Sequence, residues 1–318
     1  MIALQTIIPR RFWRFTAAFL VPFLPVLEVA FDWRGLTLFV IFVVLPLLSR
    51  ALGPDFGRNS EVIDATIVGK YDRLRIAVLT QLPIAIIASG IMAAIVVCVD
   101  ASQQWQWLTV IGWCVAAAMM TPALHELGHT RANRAYRRIA KFFWFLAGLP
   151  SYWQEHVSIH HAGAARASAP TRGMSIYSFA LQTIRVSPHN WIGIALYVIF
   201  LGGLIAGGFA SAAMVCALQA LVTWIVVWAI AYIQHYGLPS ERAWVDPCLI
   251  SNAMLFAITR HSAHHQRPAA PFWQLGLGRA PALLPATYTV LLFMAFIPSL
   301  WRRVMDERVV RVTGWLDR

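Results

Sequence analysis

Six apolar runs dominate the pattern of hydrophobic and polar positions along the chain. They cover about residues 15–31, 36–48, 76–99, 107–124, 191–209 and 212–232. Short turns join them in pairs, as in DWRG at 32–35 and DASQQWQW at 100–107. A helix needs about 20 apolar residues to cross about 30 Å of hydrocarbon, and the first two runs lie near the lower limit. The pattern predicts an all-α integral membrane protein with six transmembrane helices in three hairpins, at about 15–48, 76–124 and 191–235.

The remaining segments follow a different pattern. The run FFWFLAGLP at 142–150 is too short to span and is predicted to be interfacial or re-entrant. A short apolar helix is expected at about 249–259. A seventh run at about 283–300 is broken by Pro285 and Pro298. We expect it to pack on the polar part of the protein or to lie in the interface rather than to span.

Basic residues are distributed unevenly between the turns. Arg10, Arg11 and Arg14 precede the first hairpin and further basic residues follow it, whereas the connector at 100–107 has no Lys or Arg. By the positive-inside rule, the two ends of each hairpin and both chain termini are predicted to be cytoplasmic. The expected location is the bacterial inner membrane, with the N-terminal apolar run retained as an anchor because no small-residue cleavage site follows it.

Composition agrees with a membrane protein. Of the 318 residues, 59% are hydrophobic and 13% are charged, and the formal net charge is +12. Such a balance can indicate nucleic acid, but Lys and Arg in cytoplasmic loops explain it here, so no nucleic-acid partner is expected. The four cysteines form no CxxC pair, and the chain therefore lacks an iron–sulfur motif of its own.

Nine of the ten histidines lie in four short stretches of sequence: TPALHELGHTR, WQEHVSIHHAG, AYIQHYGL and TRHSAHHQRP. They are His125, His129, His156, His160, His161, His235, His261, His264 and His265. Three pairs are four residues apart, so on a helix each pair would direct two ring nitrogens at one point. Imidazole is a good ligand for iron, zinc or copper, and the set is large enough for more than one ion. Imidazoles near hydrocarbon are costly unless paired, coordinated or hydrated, which favours a metal site over solvated helix faces.

Two known metal motifs fit only part of this set. HELGH matches the H-E-x-x-H motif of zinc proteases, with Glu126 as the general base, but such a site leaves at least six clustered histidines unexplained. Carboxylate-bridged di-iron proteins use two E-x-x-H pairs and two further glutamates, whereas Glu126–His129 is the one such pair within these stretches. A site rich in imidazole instead needs nearby acids to orient the histidine N–H groups. The candidates are Glu126, Glu155, Glu241 and Asp246.

The helix that carries His125 has two expected features. Pro122 lies three residues before this histidine and is predicted to kink the helix. Beyond the kink the helix is expected to continue through HELGHTRANRAYRR, a strongly basic stretch. This continuation would carry the histidine pair out of the bilayer on the cytoplasmic side.

The motifs HELGHTR, EHVSIHH, QHYGL and RHSAHH, in this order between these spans, resemble those of the membrane di-iron histidine-box superfamily. Within it they are most similar to the alkane and xylene monooxygenase branch, whose pattern is HELxHK, EHxxGHH, NYxEHYGL and RHSxHH. TRGMSIYSF also resembles the stretch that follows the second box in that branch. The resemblance covers about residues 36–273, and its last two motifs are more specific than the boxes shared with fatty-acid desaturases.

The resemblance implies a function and a division of the chain. The nine histidines would bind two iron ions on the cytoplasmic face, with O2 as co-substrate and a rubredoxin or ferredoxin, with its reductase, as electron donor. A hydrophobic substrate would reach the irons through a tunnel between the helices and be hydroxylated at a terminal or benzylic carbon. The chain would be a single membrane domain, with cytoplasmic catalytic segments at about 125–190 and 235–318.

Several positions depart from the family pattern. Ala231 and Gln234 stand where the family has Asn and Glu, Ile159 replaces a glycine, and Ala263 replaces a common acid. No histidine is missing, so these changes bear on the substrate and the outcome rather than on the iron site. Gln234, Glu126 and Glu155 are the candidate residues that support the ligands.

Four other functions are considered from the sequence. The same oxidant could remove a second hydrogen, as in a desaturase, or fragment a fatty acid to a terminal alkene. An intramembrane HExxH metalloprotease is a different class of enzyme. A metal transporter would bind ions near the bilayer midplane, whereas these histidines are predicted at helix ends on one side.

Overall fold

Among the residues that the computed structural model describes, four helical stretches are long and apolar enough to cross a membrane: Trp13–Phe31, Arg73–Gln103, Trp107–His129 and Ala210–His235. Two shorter apolar helices, Leu36–Leu52 and Trp191–Ala206, complete the three predicted hairpins. The structure describes residues 5–9, 12–55, 60–64, 70–130, 134–156, 169–186, 189–239, 242–277 and 282–314. The prediction of an all-α membrane protein built from paired helices is confirmed.

The elements of the described part have the following bounds. The α-helices are α1 (Leu20–Phe31), α2 (Leu36–Phe39), α3 (Leu45–Leu52), α4 (Lys70–Gln103), α5 (Trp107–Met119), α6 (Thr121–His129), α7 (Arg134–Leu146), α8 (Tyr152–Glu155), α9 (Ile176–Val186), α10 (His189–Ala206), α11 (Ala210–His235), α12 (Leu249–Met254), α13 (His261–Gln266), α14 (Tyr288–Ala295) and α15 (Pro298–Gly314). Segments of 3₁₀ helix occupy Phe12–Phe19, Ile258–Arg260 and Phe272–Gln274, and a π-helical stretch joins α2 to α3 at Val40–Val44. Strand β1 (Gln5–Pro9) pairs antiparallel with β2 (Ser60–Asp64), with Gln5 opposite Asp64, and β3 (Trp244–Val245) pairs parallel with β4 (Ala282–Leu283).

Arg34 forms ion pairs that join the turns of the first two hairpins. Arg34 donates to both carboxylate oxygens of Asp100, at 2.8 and 3.2 Å, and to Asp32 at 2.6 Å. Its turn also contains Gly35 at φ +90°, a conformation that a side chain would strain. The ion pair between Arg34 and Asp100 is partly buried and uses both carboxylate oxygens. It therefore holds the predicted DWRG turn in one conformation.

The helix that leads to the first histidine box breaks twice. The predicted kink is confirmed: α5 ends at Met119 and α6 begins at Thr121, with Pro122 in its first turn. The predicted continuation through HELGHTRANRAYRR is wrong, because α6 ends at His129 and Thr130 is extended. A new helix, α7, begins at Arg134, and the Arg137 guanidinium donates to the Thr130 carbonyl at 3.2 Å. This change of direction lets α7 pack back against α6.

The C-terminal part differs from one expectation and agrees with another. The helix expected at 249–259 is interrupted after α12, where Phe256 and Ala257 have positive φ angles, and α13 then carries the last histidine box. The seventh apolar run forms α14, whose eight residues would rise about 12 Å, well short of the bilayer core. It packs on α11 through buried Leu291 and Tyr288, within a core that also contains Trp301 and Met305 of α15.

Candidate metal centre

Four histidines from three sequence motifs converge in one cluster. His125, His129, His156 and His264 each offer a ring nitrogen, and these nitrogens all lie within 4.8 Å of one another. The Nε2 atom of His156 is 2.9 Å from Nε2 of His125 and 3.0 Å from Nε2 of His129. His125 and His129 are one helical turn apart on α6, so they share a face as the spacing predicted. We call this set cluster A.

A second cluster combines the end of α11 with α13. His235, His261 and His265 have their ring nitrogens within 4.8 Å of one another, and Nε2 of His265 is 3.1 Å from Nε2 of His261. Nδ1 of His235 lies 3.1 Å from the backbone oxygen of Arg242. A proton on Nδ1 would donate to that carbonyl and leave Nε2 with its lone pair directed into the cluster. We call this set cluster B.

The last histidine box supplies ligands to both clusters. His264 belongs to cluster A, yet its ring centre is 5.6 Å from that of His261 and 6.2 Å from that of His265. The spacing within the last box pairs His261 with His265 on one helix face and leaves His264 beside that face. In the structure it instead faces the first and second boxes, so the short helix α13 joins the two clusters.

The donor set fits two transition-metal ions. Two nitrogens that each lie about 2.1 Å from one ion and at right angles would be about 3.0 Å apart. The Nε2 separations of 2.9–3.1 Å within both clusters agree with this spacing. Imidazole suits iron, zinc and copper, and neutral ring nitrogens facing each other cannot all satisfy one another as donors and acceptors.

Four of the predicted site residues have side chains outside the part of the molecule that the structure describes. His160, His161 and Glu241 lie outside the described residues. Glu155 belongs to α8, but its side chain lies outside the described part of the molecule as well. Seven of the nine predicted histidine ligands are therefore described, and all seven belong to cluster A or cluster B.

Two of the candidate acids have structural partners near the clusters. Oε1 of Glu126 accepts a hydrogen bond of 3.2 Å from the backbone N–H of Phe272, which joins the first box to the segment after the last box. Asp246 is buried, and its Oδ1 accepts from the backbone N–H of Cys248 at 2.8 Å. Burial raises the pKa of Asp246, while hydrogen bonds from Ser251 and from the backbone at Cys248 and Tyr288 oppose that shift. These acids fix the segments around the clusters.

Gln234, the neutral replacement for a family glutamate, is buried beside cluster B. Its Nε2 donates to the Tyr288 hydroxyl at 3.1 Å and to the Ile258 carbonyl at 3.4 Å. The side chain thus joins α11 to α14 and to the 3₁₀ segment that precedes the last box. An ionised carboxylate at this position could not donate either bond.

An apolar cavity of about 120 Å³ lies between the helices and is lined by one histidine of each cluster. Its walls come from the π-helical stretch, α5, α11 and α14, with residues such as Phe42, Ala118, Val227 and Leu292. The two histidines are His125 of cluster A and His261 of cluster B, and we call the part of the cavity beside them its inner end. Gln234 and Tyr288 also reach this surface. The cavity has the dimensions and lining of a site for a thin hydrophobic molecule.

The sequence did not point to the close packing of Gly128 and Trp153 beside cluster A. A Cβ atom on Gly128 would lie 2.0 Å from the Trp153 ring, so only glycine lets the indole rest on α6. The same indole makes an edge contact with His129, with ring centres 5.1 Å apart. The glycine inside HELGH was the one sign of this contact in the sequence. The tryptophan that it accommodates lies 25 residues further along the chain.

We expect Gly128→Ala to destabilise the protein by about 1–3 kcal/mol, because the new methyl group displaces Trp153. Thermal unfolding of the metal-free protein in detergent would measure the loss. Gly202→Ala on α10 is the matched control, since a Cβ there meets nothing within 4 Å. Equal stability of the two variants would contradict the contact, and Trp153→Leu should restore stability to the Gly128→Ala protein.

The chain is similar to the fatty acid desaturase family and to several alkane 1-monooxygenases. Residues 163–291 match the fatty acid desaturase family. Alkane 1-monooxygenase 1 of Alcanivorax borkumensis is 27% identical, over 87% of this chain and 78% of the relative. The alkane 1-monooxygenases of Pseudomonas putida and Ectopseudomonas oleovorans are 28% and 27% identical, over 87% and 88% of this chain and 78% and 79% of those proteins.

The apolar helices and the two histidine clusters describe a histidine-box membrane protein, and its residues 163–291 are similar to the fatty acid desaturase family. Within this class, the chain is similar over most of its length to alkane 1-monooxygenases, which supports the alkane monooxygenase branch. The resemblance that the four motifs indicated is confirmed.

Proposed function

We propose that the protein is an O2-dependent di-iron monooxygenase that hydroxylates a terminal or benzylic carbon of an alkane, an alkylaromatic or a fatty-acyl chain. The observation that carries this proposal is the apolar cavity, whose inner end meets one histidine from each cluster. The similarity to alkane 1-monooxygenases supports terminal hydroxylation more directly than it supports desaturation or alkene formation.

In this proposal the histidines and the apolar residues of the cavity have different roles. The seven described histidines would hold two iron ions together with His160 and His161, which the motif resemblance adds. Bound iron would supply the activation of O2. The apolar walls would hold one carbon of the substrate at the inner end and exclude water from it. Overall, one oxygen atom enters the C–H bond and the other leaves as water, with two electrons and two protons supplied from outside the substrate.

The proposed function includes a separate electron donor. This donor is a rubredoxin or a ferredoxin, each with its reductase, as the motif resemblance implies. The donor would approach from the cytoplasm, with both termini on that side of a bacterial inner membrane. The basic residues that precede the first hairpin support this orientation by the positive-inside rule.

The protease alternative fits the site less well. Both histidines of HELGH lie in a cluster of four imidazoles, one more than a zinc protease site with an open position would use. Glu126, which would be the general base, accepts a hydrogen bond from the Phe272 backbone. This contact fits a carboxylate that holds a loop in place.

Product analysis under ¹⁸O2 tests the proposed reaction. Cells that express the protein with a competent electron donor would receive alkanes, alkylbenzenes and fatty acids. We expect an alcohol that carries one labelled oxygen atom, detected by mass spectrometry. Loss of two hydrogens, or of the carboxyl group, without label in the organic product would replace hydroxylation by desaturation or decarboxylation.

We expect Gln234→Glu to change the rate or the product distribution, because a carboxylate loses both hydrogen-bond donations and faces the Ile258 carbonyl. The measurement is kcat together with the regiochemistry of the alcohol. Gln219→Glu is the matched control, since Gln219 is also on α11 but bonds to Trp113 and Leu146 instead. The same change in kcat and regiochemistry for both variants, or no change in either quantity for Gln234→Glu, would remove Gln234 from the site.

A further inference from the structure

A network of buried charges lies directly before the last histidine box. Asp55 follows the first hairpin, and its Oδ2 accepts from Arg14 at 2.7 Å and from Arg260 at 2.8 Å. The side chains of Asp55 and Arg260 are only 6% and 3% exposed. Buried charges of this kind need partners in good geometry, because desolvation is costly for each ion. One carboxylate here joins two segments that are 205 residues apart in sequence.

The guanidinium of Arg260 donates to three acceptors, and Arg260 directly precedes a histidine of cluster B in the sequence. Its guanidinium donates to the Leu275 carbonyl at 2.6 Å and to both the carboxylate and the backbone oxygen of Asp55. The next residue is His261, the first residue of α13. A helix of six residues has little stability of its own, so its orientation depends on such anchors.

The same network extends toward cluster A. The Arg14 guanidinium lies over the Phe15 ring at 5.0 Å, and Phe15 packs edge-on against Phe272 with ring centres 4.8 Å apart. The backbone N–H of Phe272 donates to Glu126 in the first box. Asp55 is therefore connected to both clusters, and its connection to cluster B through Arg260 is the shorter one.

We propose that Asp55 is a positioning residue for cluster B, which orients His261 and His265 by holding Arg260. This inference rests on the proposed function only in requiring that cluster B binds a metal ion. It assigns a role in the metal site to a residue outside all four histidine motifs. The role is to orient ligands, and it does not involve contact with the substrate.

Asp55→Asn tests the proposal, with Glu307→Gln as the matched control. Glu307 forms an ion pair with Arg311, and both side chains are 76% exposed. We measure iron per chain and the ⁵⁷Fe Mössbauer spectrum of the purified protein. Loss of a direct hydrogen-bond partner of a metal ligand lowers metal affinity about 10–100-fold, and Asp55, which acts through Arg260, should have a smaller effect of the same sign. Cluster B takes two of its three described nitrogens from α13 and cluster A one of four. We therefore expect Asp55→Asn to weaken the iron signal of cluster B more than that of cluster A, and Glu307→Gln to retain both.

Arg260→Lys keeps the proposal testable if Asp55→Asn does not fold. Lysine retains the positive charge opposite Asp55 but cannot reproduce the planar fork of donors. We expect the same selective weakening of the cluster B iron signal, with the thermal stability of the metal-free protein closer to that of the native chain. A folded Asp55→Asn or Arg260→Lys protein with both native iron signals would overturn the proposal.

The outcomes separate this inference from the proposed function. If the native protein binds iron at both clusters but inserts no labelled oxygen, the proposed reaction fails and the role of Asp55 is still measured by iron content. If the native protein hydroxylates its substrate and the Asp55→Asn spectrum is unchanged, the positioning role fails alone. Iron binding to neither cluster of the native protein would overturn both.

Discussion

His235→Ala is expected to abolish hydroxylation while cluster A continues to bind iron. The substitution removes one of the three described nitrogens of cluster B and leaves the four described nitrogens of cluster A in place. Loss of an outer partner alone costs about 10–100-fold in metal affinity or activity, so loss of a ligand should lower turnover at least about 100-fold. Iron analysis and product formation, measured on the same sample, would show both effects.

His189→Ala is the control, because His189 is the one histidine outside the four motifs. It should retain iron and activity. His125→Ala should lower iron binding at cluster A while cluster B continues to bind iron, since His125 belongs to cluster A. Full activity of His235→Ala would remove this residue from the ligand set, and loss of all iron would show that the two clusters cannot be occupied independently.

The hairpins and the paired histidines could be predicted because each depends on a local pattern. Apolar runs of spanning length and turns such as DWRG specify a hairpin without reference to distant residues. The spacing of His125 and His129 specifies a shared helix face for the same reason. The order of the motifs was also sufficient to indicate the family.

The division of the last box between two clusters could not be predicted. His264 and His265 are adjacent, yet they face different clusters. Their directions depend on the orientation of α13, which follows from Arg260, Asp55 and Leu275. Such contacts join distant segments and leave no periodic signal, although the arginine that begins RHSAHH was visible beside the histidines.

The break after His129 has a similar origin. The stretch HELGHTRANRAYRR contains no proline and its charges suit a helix, so local pattern alone favours continuation. In the structure, α7 instead buries Ala140 and Trp144 against the core around α6. Tertiary packing of an amphipathic face outweighs a modest local preference. The β1–β2 pairing also depends on segments that are far apart in sequence.

Ala118→Phe is expected to lower kcat/KM for a long alkane at least about 100-fold while leaving iron content unchanged, because misplacing the reacting carbon by about 1 Å has that effect. Ala118 is buried on α5 and lines the apolar cavity, whose volume is about 120 Å³. A phenyl ring at this position would occupy much of that space. The rate is measured with purified protein and a saturating electron donor.

Ile111→Phe is the matched control on the same helix, since Ile111 is on the outer surface and 40% exposed. It adds an aromatic ring to α5 without entering the cavity, so kcat/KM should remain close to that of the native protein. Equal loss in both variants would mean that the ring perturbs helix packing in general. Equal activity in both would mean that the substrate does not occupy this cavity.

The dependence on substrate length distinguishes blocked binding from a damaged reaction centre. Each methylene buried in an apolar site contributes about 0.8 kcal/mol, or roughly four-fold in affinity. If the cavity binds the alkyl chain of the substrate, the ring in Ala118→Phe displaces some of its methylenes, which then contribute no affinity. Long alkanes should therefore lose more affinity than short ones. Damage at the clusters would instead lower kcat by the same factor for every substrate, because the reacting carbon is chemically alike in all of them. A length-dependent loss with native iron content would therefore identify the cavity between α5 and α11 as the substrate site.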